Sequence, residues 1–267
     1  MHEQAARALG VRYHYHLIEV AGAGREQLRA LLDGVRRLGF AGVNVTFPYK
    51  EAVVDLLDEL SPGAAAIGAI NTVVVRDDRL AGYNTDTTGF ARAVSRLVEG
   101  AGQGAVALVG AGGVGKAIAF ALAKLGVAEI RIFDVDRTKA DQLALALRPH
   151  GKAIVVDDIE DAVGSATGVV NATPVGMLPS RSTPVPDTLL HDGLWVADAV
   201  YYPLLTPLLM AATAKGARIM TGRELAIYQA VDAFELFTGL SPSAVEMGNA
   251  FDGVIGRLTG SPERPDR

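Results

Sequence analysis

The sequence predicts an α/β protein of two domains, one of them a doubly wound parallel sheet covered by helices on both faces. Three observations carry that prediction. From Ala105 onward, short apolar runs of β-forming residues alternate with helical patterns, as parallel strands joined by crossover helices require. Before Ala105 the rhythm differs, with two strands flanking Asp77-Asp78, so a second α/β unit precedes the parallel one. With 267 residues, 49% of them hydrophobic, the chain is long enough for about two cores.

The elements follow in order. Met1 to Leu9 reads as the tail of a helix closed by Gly10. Val11 to Val20 is rich in β-formers and predicts a strand with His14 and His16 on one face. No third ligand accompanies that pair, so no metal is expected there or elsewhere. Arg25 to Leu38 places Leu28, Leu31, Leu32, Val35 and Leu38 at helical spacing. A short strand, Ala41 to Val45, runs into Asn44-Val45-Thr46-Phe47-Pro48-Tyr49-Lys50. Pro48 suits the first turn of a helix carrying Val53, Val54, Leu56 and Leu57, ending near Ser61-Pro62-Gly63. Ile67 to Arg76 predicts a strand, Asp77-Asp78 a hairpin turn, and Leu80 to Tyr83 its return. Asn84 to Gly89 opens a helix from Phe90 to Val98, and the small residues Gly100 to Gly104 mark the approach to a domain boundary. Strands are then expected at 105–109, 128–133, 153–156, 167–171, 194–199 and 217–220, with helices at 113–125, 136–147, 205–214 and 223–238. The tail from Gly260 to Arg267 is expected to be disordered.

Composition narrows the function. A net charge of −5 gives no support to a nucleic-acid or anionic-membrane partner. The absence of cysteine removes thiolate nucleophiles, disulfides and Cys-based zinc sites, which suits a cytoplasmic enzyme. No apolar run reaches the roughly 18 residues of a membrane span. Residues 1–16 contain Glu3, Arg7 and Arg12 and no apolar segment of signal-peptide type. A small-molecule substrate and a monomer or homodimer are expected.

The stretch that carries chemistry is Gly110-Ala111-Gly112-Gly113-Val114-Gly115, between an apolar strand and an Ala-rich helix. Gly110, Gly112 and Gly115 stand at G-x-G-x-x-G spacing, which serves a tight turn, an open approach for a pyrophosphate, and close packing of helix on strand. The helix N-terminus supplies free N–H groups and a partial positive charge. This predicts a dinucleotide site on a Rossmann-type domain. Asp134 ends the next strand 24 residues after Gly110, near the spacing of about 20 at which an acid meets the ribose 2′-hydroxyl. A carboxylate there accepts from a free hydroxyl and repels a 2′-phosphate, so NAD is favoured over NADP, although Arg137 lies close by. Asp136 is the better cap for the following helix, which leaves Asp134 to the ribose.

A hydroxyl-oxidising site also needs a group to move a proton, and none of the five histidines has an obvious partner in sequence. Lys50 and Asp86 each follow a strand at a loop-to-helix junction in a short polar cluster. Paired, they would hold and pass a proton beside a substrate hydroxyl; unpaired, they are a surface lysine and an N-cap aspartate.

With these residues in view, nearly the whole chain resembles the shikimate/quinate dehydrogenases. The resemblance rests on Asn44 to Lys50, on Ile70-Asn71-Thr72 and on Asn84-Thr85-Asp86. It extends through Gly110 to Gly113, Asn171-Ala172-Thr173-Pro174-Val175-Gly176-Met177, Asp198-Ala199-Val200-Tyr201, and Gln229-Ala230 with Phe234 and Thr238-Gly239. It implies reversible oxidation of a ring hydroxyl of shikimate or quinate to the 3-dehydro ketone. Lys50 and Asp86 would be the catalytic pair. Thr46, Asn71 and Gln229 would hold ring hydroxyls, and Tyr201 would lie near the substrate carboxylate. Asn171, Thr173, Pro174, Val200, Gly222 and Leu225 would complete the cofactor site. The domains implied are 1–88 with 223–260 for substrate and 89–222 for NAD, closing on a shared cleft.

Two departures from the family pattern matter. NADP-using members carry Asn-Arg-Thr where this chain has Asp134-Val135-Asp136, which is similar to the NAD-dependent quinate/shikimate branch. The family also begins with a strand and a Ser-x-Ser-Pro segment ahead of the helix that starts Met-His, whereas this chain begins Met1-His2-Glu3. The expectation is a natural protein some tens of residues longer, with an unpaired edge and weak substrate binding in the chain as it stands. Two other functions fit the same residues: a dehydrogenase of an amino-substituted shikimate or quinate, and a non-catalytic NAD- or ligand-binding regulator.

Overall fold

The computed structural model of the protein describes residues 1–101 and 104–260. The chain opens with α1 (His2–Ala8) and, after an extended stretch, α2 (Arg25–Arg37). Leu28, Leu32 and Val35 of α2 are buried, while Leu31 and Leu38 face outward, so the apolar stripe is narrower than the spacing suggested. A mixed sheet of β1 (Gly42–Asn44), β2 (Glu59–Leu60), β3 (Thr72–Arg76) and β4 (Arg79–Tyr83) follows, in the order β1-β3-β4-β2. Asp77 and Asp78 turn the β3–β4 hairpin with φ of 49° and 60°, the left-handed region that a tight two-residue turn needs. The short α3 (Pro62–Ile67) is capped by Ser61, whose Oγ accepts from the Ala64 N–H at 3.2 Å.

Three expectations about this unit are corrected. The strand expected over Ile67 to Arg76 begins only at Thr72, because Ile67 closes α3 and Gly68 takes the left-handed φ of 67° that ends the helix. Val11 to Val20 has no regular secondary structure and joins no sheet, and Leu17 and Ile18 are exposed. Its β-forming composition makes a strand only where another backbone lies alongside, and none does among the described residues. Pro48 does not start an α-helix either. It follows a cis bond, residues 47–53 form successive turns, and only Val54–Leu56 closes a single 3₁₀ turn. Val53 and Leu56 are nonetheless buried, because turns place them on the same core as Leu28 and Ile70.

α4 (Thr85–Ala101) leads into the larger sheet: β5 (Ala105–Val109), β6 (Glu129–Phe133), β7 (Ala153–Val155), β8 (Gly168–Asn171), β9 (Trp195–Asp198) and β10 (Arg218–Met220). All six are parallel in the order β10-β9-β8-β5-β6-β7, so the winding reverses between β5 and β8. In such sheets ligands sit beyond the strand C-termini at that reversal. Helices α5 (Gly113–Lys124), α6 (Arg137–Leu147), α7 (Ile159–Val163) and α8 (Pro207–Ala214) cover the faces. One core joins α4, α5 and α6 to the sheet through Phe90, Ile118 and Leu143, and the other joins α7 and α8 through Val163 and Leu208. Trp195 is fully buried, a contribution of roughly 4–6 kcal/mol for an aromatic of its area.

α9 (Gly222–Thr238) and α10 (Ala244–Gly260) return to the start of the chain, where Phe234, Met247 and Phe251 pack with Ala5 and Ala6. Neither α7 nor α10 is among the helices that the sequence predicts. α4 and α9 pack along each other and link the two sheets. Gly260, the first residue of the expected disordered tail, closes α10 instead, and the rest of that tail, 261–267, with residues 102–103 of the expected boundary, lies outside the described residues.

Candidate active site

The loop after β1 carries Lys50, held in place where its carbonyl oxygen accepts the Ile70 N–H at 2.9 Å. Asp86 stands in the first turn of α4, where exposed N–H groups favour a negative charge. The fold brings them together: Lys50 Nζ donates to Asp86 Oδ2 at 2.5 Å, with both side chains nearly buried. The alternative of a surface lysine and a simple cap is therefore excluded. Asn71 secures the other carboxylate oxygen, donating from Nδ2 to Asp86 Oδ1 at 2.9 Å. The same amide donates to Thr85 Oγ1 at 2.9 Å and reaches Gln229 Oε1 of α9 at 3.5 Å. Asn71 Oδ1 accepts from the Thr85 N–H at 2.8 Å, which pins the start of α4 to the start of β3. Among the described residues Lys50 Nζ has Asp86 as its one hydrogen-bond partner, which leaves two of its three donors unused.

Thr46 is exposed on the same loop as Lys50, and its carbonyl accepts from the Tyr49 N–H. Tyr201 is exposed beyond β9, with its ring edge-on to Phe251 of α10. Neither is tied into the Lys50 network.

The glycine loop lies against this cluster. A Cβ on Gly113 would stand 3.4 Å from Lys50 Cβ, so the two sheets meet at the site. Lys116 of α5 reaches across and donates to Glu51 Oε2 at 2.7 Å. Gly110 has φ of 104°, and a Cβ on Gly115 would fall 2.0 Å from the Gly110 carbonyl oxygen, so both positions demand glycine. Nothing lies within 4 Å of a Cβ placed on Gly112, which leaves open space in front of the α5 N-terminus. A tight turn, close packing and an open cradle of N–H groups fit a pyrophosphate. Val114 is half-buried behind the loop, and Ala111 is buried within it.

Asp134 follows the last residue of β6, beside that cradle. Its Oδ2 accepts from the Ala111 N–H at 2.6 Å and its Oδ1 from the Asp136 N–H at 2.8 Å. Each oxygen keeps a lone pair for a ribose hydroxyl. Asp136 caps α6 as expected, accepting from the Thr138 N–H at 3.1 Å. Val135 is fully exposed, and Arg137 is turned onto Asp141 and Asp157.

On the other side of the reversal, Asn171 Oδ1 accepts from Thr173 N–H and Oγ1 at 3.0 and 2.7 Å, shaping the loop that carries Pro174. Gly222 opens α9 so close to the next loop that a Cβ would meet the Val200 carbonyl oxygen at 2.4 Å. Leu225, one turn on, is buried in the core. A separate cavity of about 810 Å³ between α3, α4, α5 and α9 is lined by neither Lys50 nor Asp86. Sequence reasoning missed the Glu51–Lys116 pair, the hydrogen bonds of Thr85 to Asn71, and the full burial of Asp198. For the last two the only signal was their place inside the family motifs.

A reversed parallel sheet with a dinucleotide cradle, set against a nearly buried lysine–carboxylate pair, defines a pyridine-nucleotide-dependent oxidoreductase acting on a small molecule. Comparison with known proteins gives the family. The shikimate dehydrogenase substrate binding domain matches residues 1–73. Shikimate dehydrogenase (NADP(+)) of Streptomyces avermitilis is 44% identical over 254 residues, 92% of this chain and 87% of that protein. Quinate/shikimate dehydrogenase (NAD(+)) of Corynebacterium efficiens is 44% identical over 261 residues, 94% of this chain and 91% of that protein. The structure of quinate dehydrogenase from Corynebacterium glutamicum in complex with NAD superposes with a TM-score of 0.88 at 42% identity, covering 94% of this chain and 92% of that one. The chain belongs to the shikimate/quinate dehydrogenase family. Its relatives divide between NAD and NADP. No helix among the described residues is long and apolar enough to cross a membrane.

Proposed function

We propose that the protein interconverts shikimate or quinate and the corresponding 3-dehydro ketone with NAD as the preferred cofactor, in the cytoplasm. The observation that carries this reading is the Lys50–Asp86 pair held at 2.5 Å beside the glycine loop. When bound, the nicotinamide supplies the hydride donor or acceptor. Lys50 supplies the proton. In the reductive direction its ammonium gives a proton from Nζ to the oxygen of the ketone as the alcohol forms, and in the oxidative direction Nζ takes it back. Asp86 Oδ2 fixes Nζ and balances its charge, and Asn71 holds the carboxylate in turn. Near-burial of the pair keeps bulk water from competing for that proton.

Thr46, Asn71 and Gln229 are assigned to ring hydroxyls and Tyr201 to the vicinity of the substrate carboxylate. The NAD preference is supported by Asp134, already oriented by two backbone N–H groups, and by the absence of a cation at Val135. Arg137 is assigned to the rim of the adenosine site, with Gly110 to Gly115 at the pyrophosphate. Asn171, Thr173, Pro174, Val200, Gly222 and Leu225 are assigned to the nicotinamide side. We divide the chain into a substrate domain, 1–88 with 223–260, and an NAD domain, 89–222. Both boundaries fall on the packed helices α4 and α9, which suit a hinge.

The test is reduction of NAD and NADP by the purified chain with quinate, shikimate and aminoshikimate in turn. NAD-linked turnover of quinate or shikimate is expected. Turnover of aminoshikimate alone, or binding of NAD without turnover of any of the three, overturns the reading.

A further inference from the structure

Asp198, the last residue of β9, is a fully buried carboxylate, and the proton transfer above does not use it. Its Oδ1 accepts from Asn171 Nδ2 and from the Val200 N–H, both at 2.9 Å. Its Oδ2 accepts from Thr206 Oγ1 at 2.7 Å. All three donors are neutral, and among the described residues no cation balances the charge; burial accordingly pushes the carboxyl up to about 6, against the pull of the three donors. An unbalanced buried carboxylate is costly, and an asparagine of the same shape would serve most of these contacts. Packing alone therefore gives no reason for a charge here.

Its position does. Through Asn171 the carboxylate is linked to Thr173, and Asn171 Nδ2 also donates to the Val175 carbonyl at 3.0 Å. Through the Val200 N–H it shapes the loop after β9, and through Thr206 the start of α8. The loops after β8 and β9 are thus hung from one side chain. They stand beyond the strand C-termini on the opposite side of the reversal from Asp134. In a doubly wound sheet one half of a dinucleotide lies on each side. With Asp134 on the adenosine half, Asp198 underlies the other.

Resting on the dehydrogenase reading, we propose that Asp198 is a positioning residue that builds the nicotinamide half-site, ordering both of its loops and lending it a negative charge that favours the oxidised ring over the reduced one. The oxidised ring is cationic and the reduced ring neutral, so an unbalanced anion in a low-dielectric wall discriminates between them.

The experiment is calorimetric binding of NAD+, NADH and ADP-ribose to the wild-type chain and to Asp198→Asn, with thermal unfolding alongside. ADP-ribose, which lacks the ring, is expected to bind both within about twofold. NAD+ is expected to weaken about tenfold in the variant and NADH by about threefold or less, the scale on which removing one charge while keeping the side-chain shape acts. A variant that keeps the wild-type ratio of NAD+ to NADH affinity, or that loses ADP-ribose as strongly as NAD+, overturns the proposal. If the wild type binds none of the three ligands, the dehydrogenase reading fails instead.

Discussion

Gly89 sits in α4 where it crosses α9, and a single methyl there tests how the substrate side of the site is positioned. A Cβ on Gly89 would lie 2.7 Å from the Gln229 backbone nitrogen and 3.1 Å from both its Cα and its Cβ. Ordinary contact begins near 3.4 Å, so the backbone of α9 at Gln229 must retreat by about 0.7 Å. Overpacking of this kind costs about 1–3 kcal/mol, and the gain in helix propensity returns about 1 kcal/mol. The net loss for Gly89→Ala is about 0–2 kcal/mol, a fall in Tm of up to about 8 °C for a chain of this size. A displacement approaching 1 Å at a substrate contact lowers kcat/KM by roughly 10- to 100-fold. The pyrophosphate cradle is built from β5, α5 and β6, and the α9 residues assigned to the nicotinamide side, Gly222 and Leu225, lie a turn or more before Gln229, so the KM for NAD is expected to change by no more than about threefold. Steady-state kinetics with quinate or shikimate at saturating NAD, and with NAD at saturating substrate, separate the two. An unchanged kcat/KM for substrate despite the loss in Tm refutes the placement of Gln229 in the substrate site. A KM for NAD that rises in step refutes the separation of the two half-sites.

Three further predictions follow from the same geometry. Lys50→Ala is expected to lower kcat by about 10²- to 10⁴-fold while calorimetric NAD binding persists, and unchanged turnover refutes the proton-transfer role. Asp134→Ser with Val135→Arg removes the ribose acceptor and supplies a cation, so the ratio of kcat/KM for NAD to that for NADP is expected to fall at least about 100-fold. A constant ratio refutes the charge argument. His2 is buried against Tyr15, with ring centroids 4.5 Å apart, and burial lowers its pKa from 6.5 to about 4. Its stabilising contribution is complete above pH 6.5 and is lost as pH falls toward 4, because the unfolded chain takes up the proton first, a total of about 3 kcal/mol. Asp198, raised from 3.8 to about 6, acts with the opposite sign over part of that window. The readout is therefore the difference in urea midpoint between wild type and His2→Phe from pH 8 to 4.5. A difference that does not change with pH refutes the assignment.

The parallel sheet was legible almost strand by strand because its signals are local. Val106 to Val109 is buried on both faces and therefore continuously apolar, and Gly110 to Gly115 can serve only as a tight turn against a helix. Asp136 as a cap and Asp77-Asp78 as a hairpin turn are local for the same reason. The failures were elements whose state depends on neighbours. Val11 to Val20 has strand composition without a paired strand, and the apolar spacing from Val53 to Leu57 is met by turns, not by an α-helix.

What the sequence by itself determined was the α/β class, the glycine turn between β5 and α5 with the acid that follows β6, and the residue types able to move a proton. The tertiary structure decided which of those residues meet. Lys50 and Asp86 are separated by the β3–β4 hairpin and come within 2.5 Å only when β3 and α4 are locked together through Asn71. Gln229 arrives from 158 residues beyond Asn71 because α9 folds back along α4. Asp198 reads in sequence as one more acid at a strand end, and its burial without a counter-charge exists only once β8, β9 and α8 are assembled around it. Side-chain chemistry is carried by single residues, but distance and desolvation, which turn that chemistry into a site, belong to the packed chain.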